Sequence, residues 1–130
     1  MNNAQELFAR ADILLFKQRR YEEAEALYRE ILAQEESLPE AERSARNKID
    51  AFNSIGYCIK FRTSLADLLA DKPRGPGQDG VFTGLQKLYK SSLALDEDDV
   101  EANYNLGGIY TQRKEFESAL RHFKACVTKD

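Results

Sequence analysis

The chain has no tryptophan, one histidine, one methionine and two cysteines in 130 residues, and each scarcity removes a class of function. Two thiols, Cys58 and Cys126, are too few and too far apart for a disulfide framework, a zinc site or a redox pair. Both fall on or beside apolar faces, where buried free thiols are expected. His122 stands alone, on the side of its helix opposite Phe116 and Phe123, and is expected in solvent rather than on a metal. No apolar run approaches the roughly 20 residues that span a bilayer. The opening stretch, Met1 to Glu6, has neither the basic nor the apolar segment of a secretion signal. No membrane partner and an intracellular, cytoplasmic location are therefore expected.

Positive charge is not concentrated anywhere. Lys and Arg number 19 against 22 Asp and Glu, a net charge of -3, no basic run exceeds the two residues of Arg19-Arg20 and none is flanked by base-stacking aromatics at useful spacing, so a nucleic-acid partner is not expected. Catalytic constellations are missing too. Acidic residues occur as solvated helix faces such as Glu22-Glu23 and as caps such as Asp98-Asp99, with no Ser–His or Cys–His pair for them to orient. The glycines at Gly75 to Gly80 lack the Lys-Ser/Thr that a phosphate-binding loop needs, and no strand precedes them. The expectation is a non-enzyme with no cofactor and no metal.

What is present is helical periodicity over a length that makes one domain, with 42% hydrophobic and 32% charged residues. Asn3, with Glu6 as its capping-box partner, starts a first helix whose apolar stripe is Leu7, Phe8, Ala11, Leu14 and Leu15. Lys17 to Arg20 make a turn. Tyr21 to Gln34 form a second helix with Tyr21, Ala24, Leu27, Tyr28, Ile31 and Leu32 inward and Glu22, Glu23, Glu25, Arg29 and Glu30 outward. Ser37-Leu38-Pro39-Glu40 reads as a helix start, and no Gly or Pro follows until Gly56. The expectation is one long helix from about Pro39 to about Ala70, roughly 45 Å at about 1.5 Å per residue. Asp71 to Gly80 holds two of the three prolines and several glycines, which predicts a mobile loop. Val81 to Leu95 is helical again, with Phe82, Leu85, Leu88, Tyr89 and Leu93 inward.

The final stretch, Asp98 to Asp130, reads as a compact helical hairpin. Asp98 or Asp99 caps its first helix, with Glu101 as box partner, and Ala102, Leu106, Ile109 and Tyr110 form the stripe. The second helix carries Phe116, Ala119, Leu120, Phe123, Cys126 and Val127, and the small residues Gly107 and Ala119 allow the two helices to approach. The apolar positions of this last helix exceed what one neighbour can cover. Some of that area is expected to face solvent, which implies self-association or stacking on further repeats.

The spacing Leu106-Gly107-x-x-Tyr110 followed by Phe116-x-x-Ala119-x-x-x-Phe123 resembles the tetratricopeptide repeat, with Asn103 where that family often has Trp. The same frame recurs as Tyr21, Ala24, Tyr28 and as Phe82, Leu85, Tyr89, the last two copies being about 34 residues apart, the period of the family. Asp12 stands where the family's Gly usually sits in the first copy. The resemblance implies an all-α fold of three tetratricopeptide-like hairpins stacked as a short right-handed superhelical solenoid over residues 1–130. Repeat 1 spans about 4–36. Repeat 2 spans about 38–96, with an extended first helix and the loop insertion at 71–80, and repeat 3 about 98–130.

It also implies a scaffold or adaptor that holds a protein or peptide segment in the concave groove lined by the first helix of each repeat. Carried over position by position, that face presents Glu6, Ala9, Ile13, Phe16 and Lys17, then Asp50, Asn53, Tyr57, Lys60 and Phe61, then Glu101, Tyr104, Asn105, Gly108, Thr111 and Gln112. One branch of the family grips the C-terminal carboxylate of heat-shock chaperones with Lys, Asn and Arg. Ala9, Ile13, Ser54 and Glu101 stand at clamp places here, and only Asn105 remains as a donor, so that ligand is disfavoured.

Overall fold

The computed structural model describes residues 3–128. Among these, seven α-helices follow one another in the order α1 Asn3–Asp12, α2 Tyr21–Ser37, α3 Ala45–Phe61, α4 Leu65–Leu69, α5 Val81–Leu95, α6 Val100–Gln112 and α7 Phe116–Thr128. No strand is present among the described residues; Pro73 and Gly80 make an isolated bridge. Met1 and Asn2, which precede the expected first repeat, and Lys129 and Asp130, the end of the expected third, lie outside the described residues. The chain divides into two compact units, one ending at Arg62 and one beginning at Thr63. That boundary falls inside the expected middle repeat, between α3 and α5.

In the first unit, Ala4, Leu7, Ala11 and Leu15 bury the inner face of α1 against Ala24, Tyr28 and Ile31 of α2, and Ile49, Ile55, Cys58 and Ile59 of α3 complete the core. The expected Asn3 cap is not seen, since Asn3 already belongs to the helix. Past Asp12 the helix widens into a π turn, Ile13–Lys17, and the Gln18 amide donates to the Ile13 carbonyl at 3.0 Å. Arg19 then takes a left-handed backbone with φ 54, and the chain reverses into α2. Asp12 has a structural partner: the buried Tyr28 hydroxyl donates to its carboxylate at 2.5 Å. Burial and then that carboxylate push the Tyr28 phenol above its ordinary range.

Glu25 corrects the outward reading of α2. It is buried, and its carboxylate accepts from Arg62 Nη2 at 2.6 Å and Arg29 Nε at 2.9 Å, which pins the C-terminal end of α3 to α2. The apolar pattern gave no sign of this, because the partner lies 37 positions away.

The expected 32-odd residue helix from Pro39 to Ala70 is overturned. Ser37 ends α2 instead of starting a helix, and a short 3-10 turn, Glu40–Glu42, intervenes. Arg43 and Ser44 are extended, and the Ser44 side chain caps α3 by accepting from the Asn47 amide at 3.1 Å. Glu35 of α2, buried, accepts from the Ser44 amide at 2.7 Å and from Asn47 Nδ2 at 3.0 Å, so the break is tied down from both sides. At the other end α3 stops at Phe61, and Ser64, extended with ψ 156, caps α4 through the Asp67 amide at 3.1 Å. A serine that satisfies free N-terminal amides ends one helix and begins the next as firmly as a Gly or Pro does.

In the second unit, Val81, Phe82, Leu85 and Tyr89 of α5 and Ala102, Leu106, Ile109 and Tyr110 of α6 are buried, with Leu68 from α4 and Ala119 from α7. Leu88 and Leu93, expected inward, are half-buried. Arg113 sits over the Phe82 ring at 4.0 Å and donates to the Leu69 carbonyl at 3.1 Å, which caps the end of α4. Asp99, not Asp98, caps α6, accepting from the Ala102 amide at 3.0 Å, so Glu101 is not three residues past the cap and the expected box does not form. The close approach of α6 and α7 is made at Gly107, where an added Cβ would lie 2.6 Å from the Phe123 ring; the ring, not Ala119, is the neighbour.

The 71–80 segment has no helix and is closed at its neck. Asp71, at φ 51, accepts from the Thr83 amide at 2.9 Å and its hydroxyl at 2.6 Å, so a loop side chain caps α5, and the Val81 amide donates to the Lys72 carbonyl at 2.8 Å. Burial opposes the charge there, but the Thr83 hydrogen bonds and then Arg113 hold the Asp71 carboxyl below its ordinary value.

Candidate functional site

On α1 the expected face behaves as a surface. Glu6, Ile13, Phe16 and Lys17 are all exposed, Phe16 at 61% of its area, while Leu15 between them is buried. Leu7, Ala11 and Leu15 recur at helical spacing on the core side, and Ile13 and Phe16 fall off that stripe.

On α3, Asn53, Tyr57, Lys60 and Phe61 share one side at i, i+4, i+7 and i+8. Their exposures differ sharply. Asn53 is fully buried, Asp50, Tyr57 and Lys60 are half-buried, and Phe61 is 51% exposed. Asp50 is engaged by Arg46 Nη2 at 2.8 Å. The Phe61 ring lies parallel to Tyr57, centroids 5.7 Å apart at 18°, and is met by Tyr21 of α2 at 5.9 Å, so it is held in place with one side open. No hydrogen bond or ion pair of Lys60 is found among the described residues, and burial holds its ammonium below the ordinary lysine value.

In the second unit, α6 presents Tyr104, 63% exposed, with its ring edge against Phe123 at 6.0 Å. Gln112 is exposed and Glu101 half-buried. Gly108 has open space where a side chain would stand, and Thr111 turns its hydroxyl back to the Gly107 carbonyl at 2.8 Å. Asn105 is buried, and its Nδ2 finds no acceptor. Neither Asn53 nor Asn105 therefore offers its amide at the surface, and the expectation that Asn105 serves as an accessible donor is corrected.

The two thiols and the histidine also settle into structural places. Cys58 is buried, and burial followed by Glu25 pushes its thiol up to about 12. Cys126 is half-exposed, not buried. His122 is not solvated as expected. It stacks on Tyr110 at 5.6 Å and 18°, and its Nδ1 lies 2.9 Å from Asn103 Oδ1. The Asn103 Nδ2 donates to the Glu97 and Asp99 carbonyls at 3.0 and 3.1 Å, so its oxygen must face the imidazole and Nδ1 carries the proton. The position where a Trp was missing is thus filled by an Asn–His pair. Burial, then Arg121 and Lys90, lower the His122 pKa. No group of three or more His, Cys, Asp or Glu suited to a metal ion occurs among the described residues.

A second surface lies on α7. Phe116, Leu120 and Val127 are exposed, Leu120 at 55% and Val127 at 77%, while Ala119 is buried and His122 and Phe123 are half-buried. An open depression of about 510 Å³ runs along Glu117, Ser118, Leu120, Arg121 and Lys124. The expected uncovered apolar area is therefore present, and Phe116 adds to it. Among the described residues no helix is long and apolar enough to cross a membrane.

A family model described as tetratricopeptide repeat matches residues 4–56 and 86–130. No curated protein and no solved structure matches the chain.

Proposed function

Because the chain belongs to the tetratricopeptide repeat family, whose members are in general non-catalytic scaffolds for protein–protein interaction, we propose that it is an adaptor whose exposed aromatic side chains hold a segment of a protein partner. The observation that carries this reading is the exposure of Phe16, Phe61 and Tyr104 at three of the positions assigned to the ligand face. Large rings left in water while Leu15, Ile59 and Leu106 close to them in sequence are buried do nothing for the core. Ordered aromatics of this kind supply much of the energy at protein interfaces and lose little entropy on binding. Phe16 and Phe61 lie on the first unit and Tyr104 on the second, each exposed on its own unit. With Cys58 and Cys126 both free thiols, the protein suits a reducing intracellular compartment.

The test is a comparison of captured proteins. Wild-type protein and the variants Phe16→Ala, Phe61→Ala and Tyr104→Ala, each with native circular dichroism, are used as baits at matched concentration. A partner retained by wild type and lost by at least one aromatic variant, then reconstituted with purified partner, is the expected result. Partners indifferent to all three substitutions would sink the proposal.

The α7 stripe favours a second reading, assembly on another copy or on further repeats. Exposed apolar patches of this kind commonly mark interfaces. Light scattering over a wide concentration range, with Leu120→Glu as the control, separates the two, since only assembly is abolished by that substitution.

A further inference from the structure

The outer side of α7 carries a pattern that fits a copy of itself. At about 100° per residue, Phe116, Leu120 and Val127 fall within one narrow strip of the helix. All three are exposed, while Ala119, off that strip, is buried. Glu117 and Lys124, also exposed, follow one edge of the strip, seven positions apart. That spacing is two helical turns, about 10 Å at about 1.5 Å per residue. The edge therefore bears an acid toward the N-terminal end of α7 and a base toward its C-terminal end. Arg121 stands farther round the helix, at the margin of the surface, and donates to Ser118 Oγ at 3.3 Å. The open depression on this side is lined from Glu117 to Lys124, a stretch whose middle lies between Leu120 and Arg121.

A two-fold axis crossing α7 at that middle runs a second α7 antiparallel to the first and keeps both charged edges on the same side. Glu117 then stands level with Lys124 of the second copy, and Lys124 with its Glu117. Leu120 meets Leu120 beside the axis, over the depression, and Phe116 comes within about 3 Å of the level of Val127 of the second copy. A parallel pair, related by an axis along the helices, puts the charged edges on opposite sides, where neither acid meets a base. A repeat of other sequence could cover the strip, but it draws nothing from the matched placing of Glu117 and Lys124. With 13 residues, α7 is about 20 Å long, and one helix pair of that length buries less than the roughly 1,200 Å² at the lower limit of standard interfaces. The association is accordingly weak, with a dissociation constant on the order of 0.1 mM.

We propose that the outer side of α7 is a homodimer surface, on which a second copy of this chain lays its own α7 antiparallel, with Glu117 and Lys124 paired reciprocally across the two-fold axis. The proposal rests on the assembly reading and names its occupant, direction and register. The apolar strip supplies the attraction, and the charged edge selects the antiparallel arrangement.

Sedimentation equilibrium of the intact chain, from about 1 µM to about 1 mM, reads the association. The average mass of the wild type is expected to rise toward twice that of the chain, and Leu120→Glu to hold it at that of a single chain. Each charge contact occurs twice about the axis, so Glu117→Lys or Lys124→Glu alone is expected to weaken association about tenfold. The two single variants, mixed, are expected to associate with each other. The double exchange, Glu117→Lys with Lys124→Glu, is expected to regain wild-type association, since antiparallel pairing again sets acid against base. Every substituted side chain is exposed, and each variant is first checked for native circular dichroism. A wild-type chain that stays monomeric throughout the range overturns the proposal and leaves the assembly reading only further repeats as its occupant. Association that Leu120→Glu abolishes but the single charge variants leave unchanged, or that the double exchange does not regain, overturns the antiparallel register while assembly through α7 stands.

Discussion

Gly107→Ala tests the packing of the last hairpin with a sign, not only a size. The new Cβ would stand 2.6 Å from Phe123 Cε1 and 2.8 Å from Cδ1 and Cζ, where carbon atoms settle at about 3.5–4.0 Å. The ring must therefore retreat by about 1 Å, and its edge contact with Tyr104 must shift with it. Overpacking of this order costs about 1–3 kcal/mol. Against it, replacing Gly by Ala within a helix gains about 1 kcal/mol of backbone propensity. The balance is a net loss of up to about 2 kcal/mol in the wild-type background. In a Phe123→Ala background the obstacle is gone and only the propensity gain remains, so the same substitution is expected to stabilise by about 1 kcal/mol. Urea denaturation of the four proteins of this double-mutant cycle measures the change, provided the m values agree. If Gly107→Ala raised the midpoint equally in both backgrounds, the ring would not be where the close approach is made.

Other outcomes follow from single contacts. Glu25→Ala strips the buried end of Arg62 and is expected to cost about 2 kcal/mol in urea denaturation, whereas Glu22→Ala, whose side chain is 85% exposed, should change stability by less than about 0.5 kcal/mol; equal effects would mean that the buried pair holds nothing. For His122 the folded-state pKa is depressed, so the unfolded chain binds more protons in acid. Its contribution to stability is full above about pH 6.5, the unfolded value, and is lost as pH falls through the lower folded value. His122→Gln should flatten that part of the stability profile, and an unaltered slope would refute the neutral, Asn103-bound imidazole. The loop should be the first site of tryptic cleavage, after Arg74, with the neck intact; Asp71→Ala, which removes the Thr83 bonds, should speed cutting severalfold, and equal rates would show that the neck does not restrain the loop.

The candidate site was legible in the sequence only where its residues obey helical spacing. Ile13, Phe16, Phe61 and Tyr104 fall outside the apolar stripes that α1, α3 and α6 turn to the core, and periodicity alone places them in water. Asn53 and Asn105 share that side of their helices and are nonetheless buried, because burial depends on neighbouring backbone that a single helix's pattern does not contain. Lys60 was named as one of a row of surface residues. It is half-buried, which helical spacing does not announce.

The sequence by itself determined the all-α class, the repeated aromatic and small-residue frame, the buried stripes and the need for Gly107, since these depend on spacings of three and four residues that any helix converts into one face. Tertiary structure decided where the middle helices break, because Ser44 becomes a helix start only when Glu35 from another helix takes its amide, and Glu25 becomes a buried acid only when Arg62 arrives from 37 residues away. It likewise decided that His122 faces Asn103 and Tyr110 instead of water. Polar groups seek partners without regard to distance along the chain, so their positions follow from the fold, whereas apolar stripes announce it.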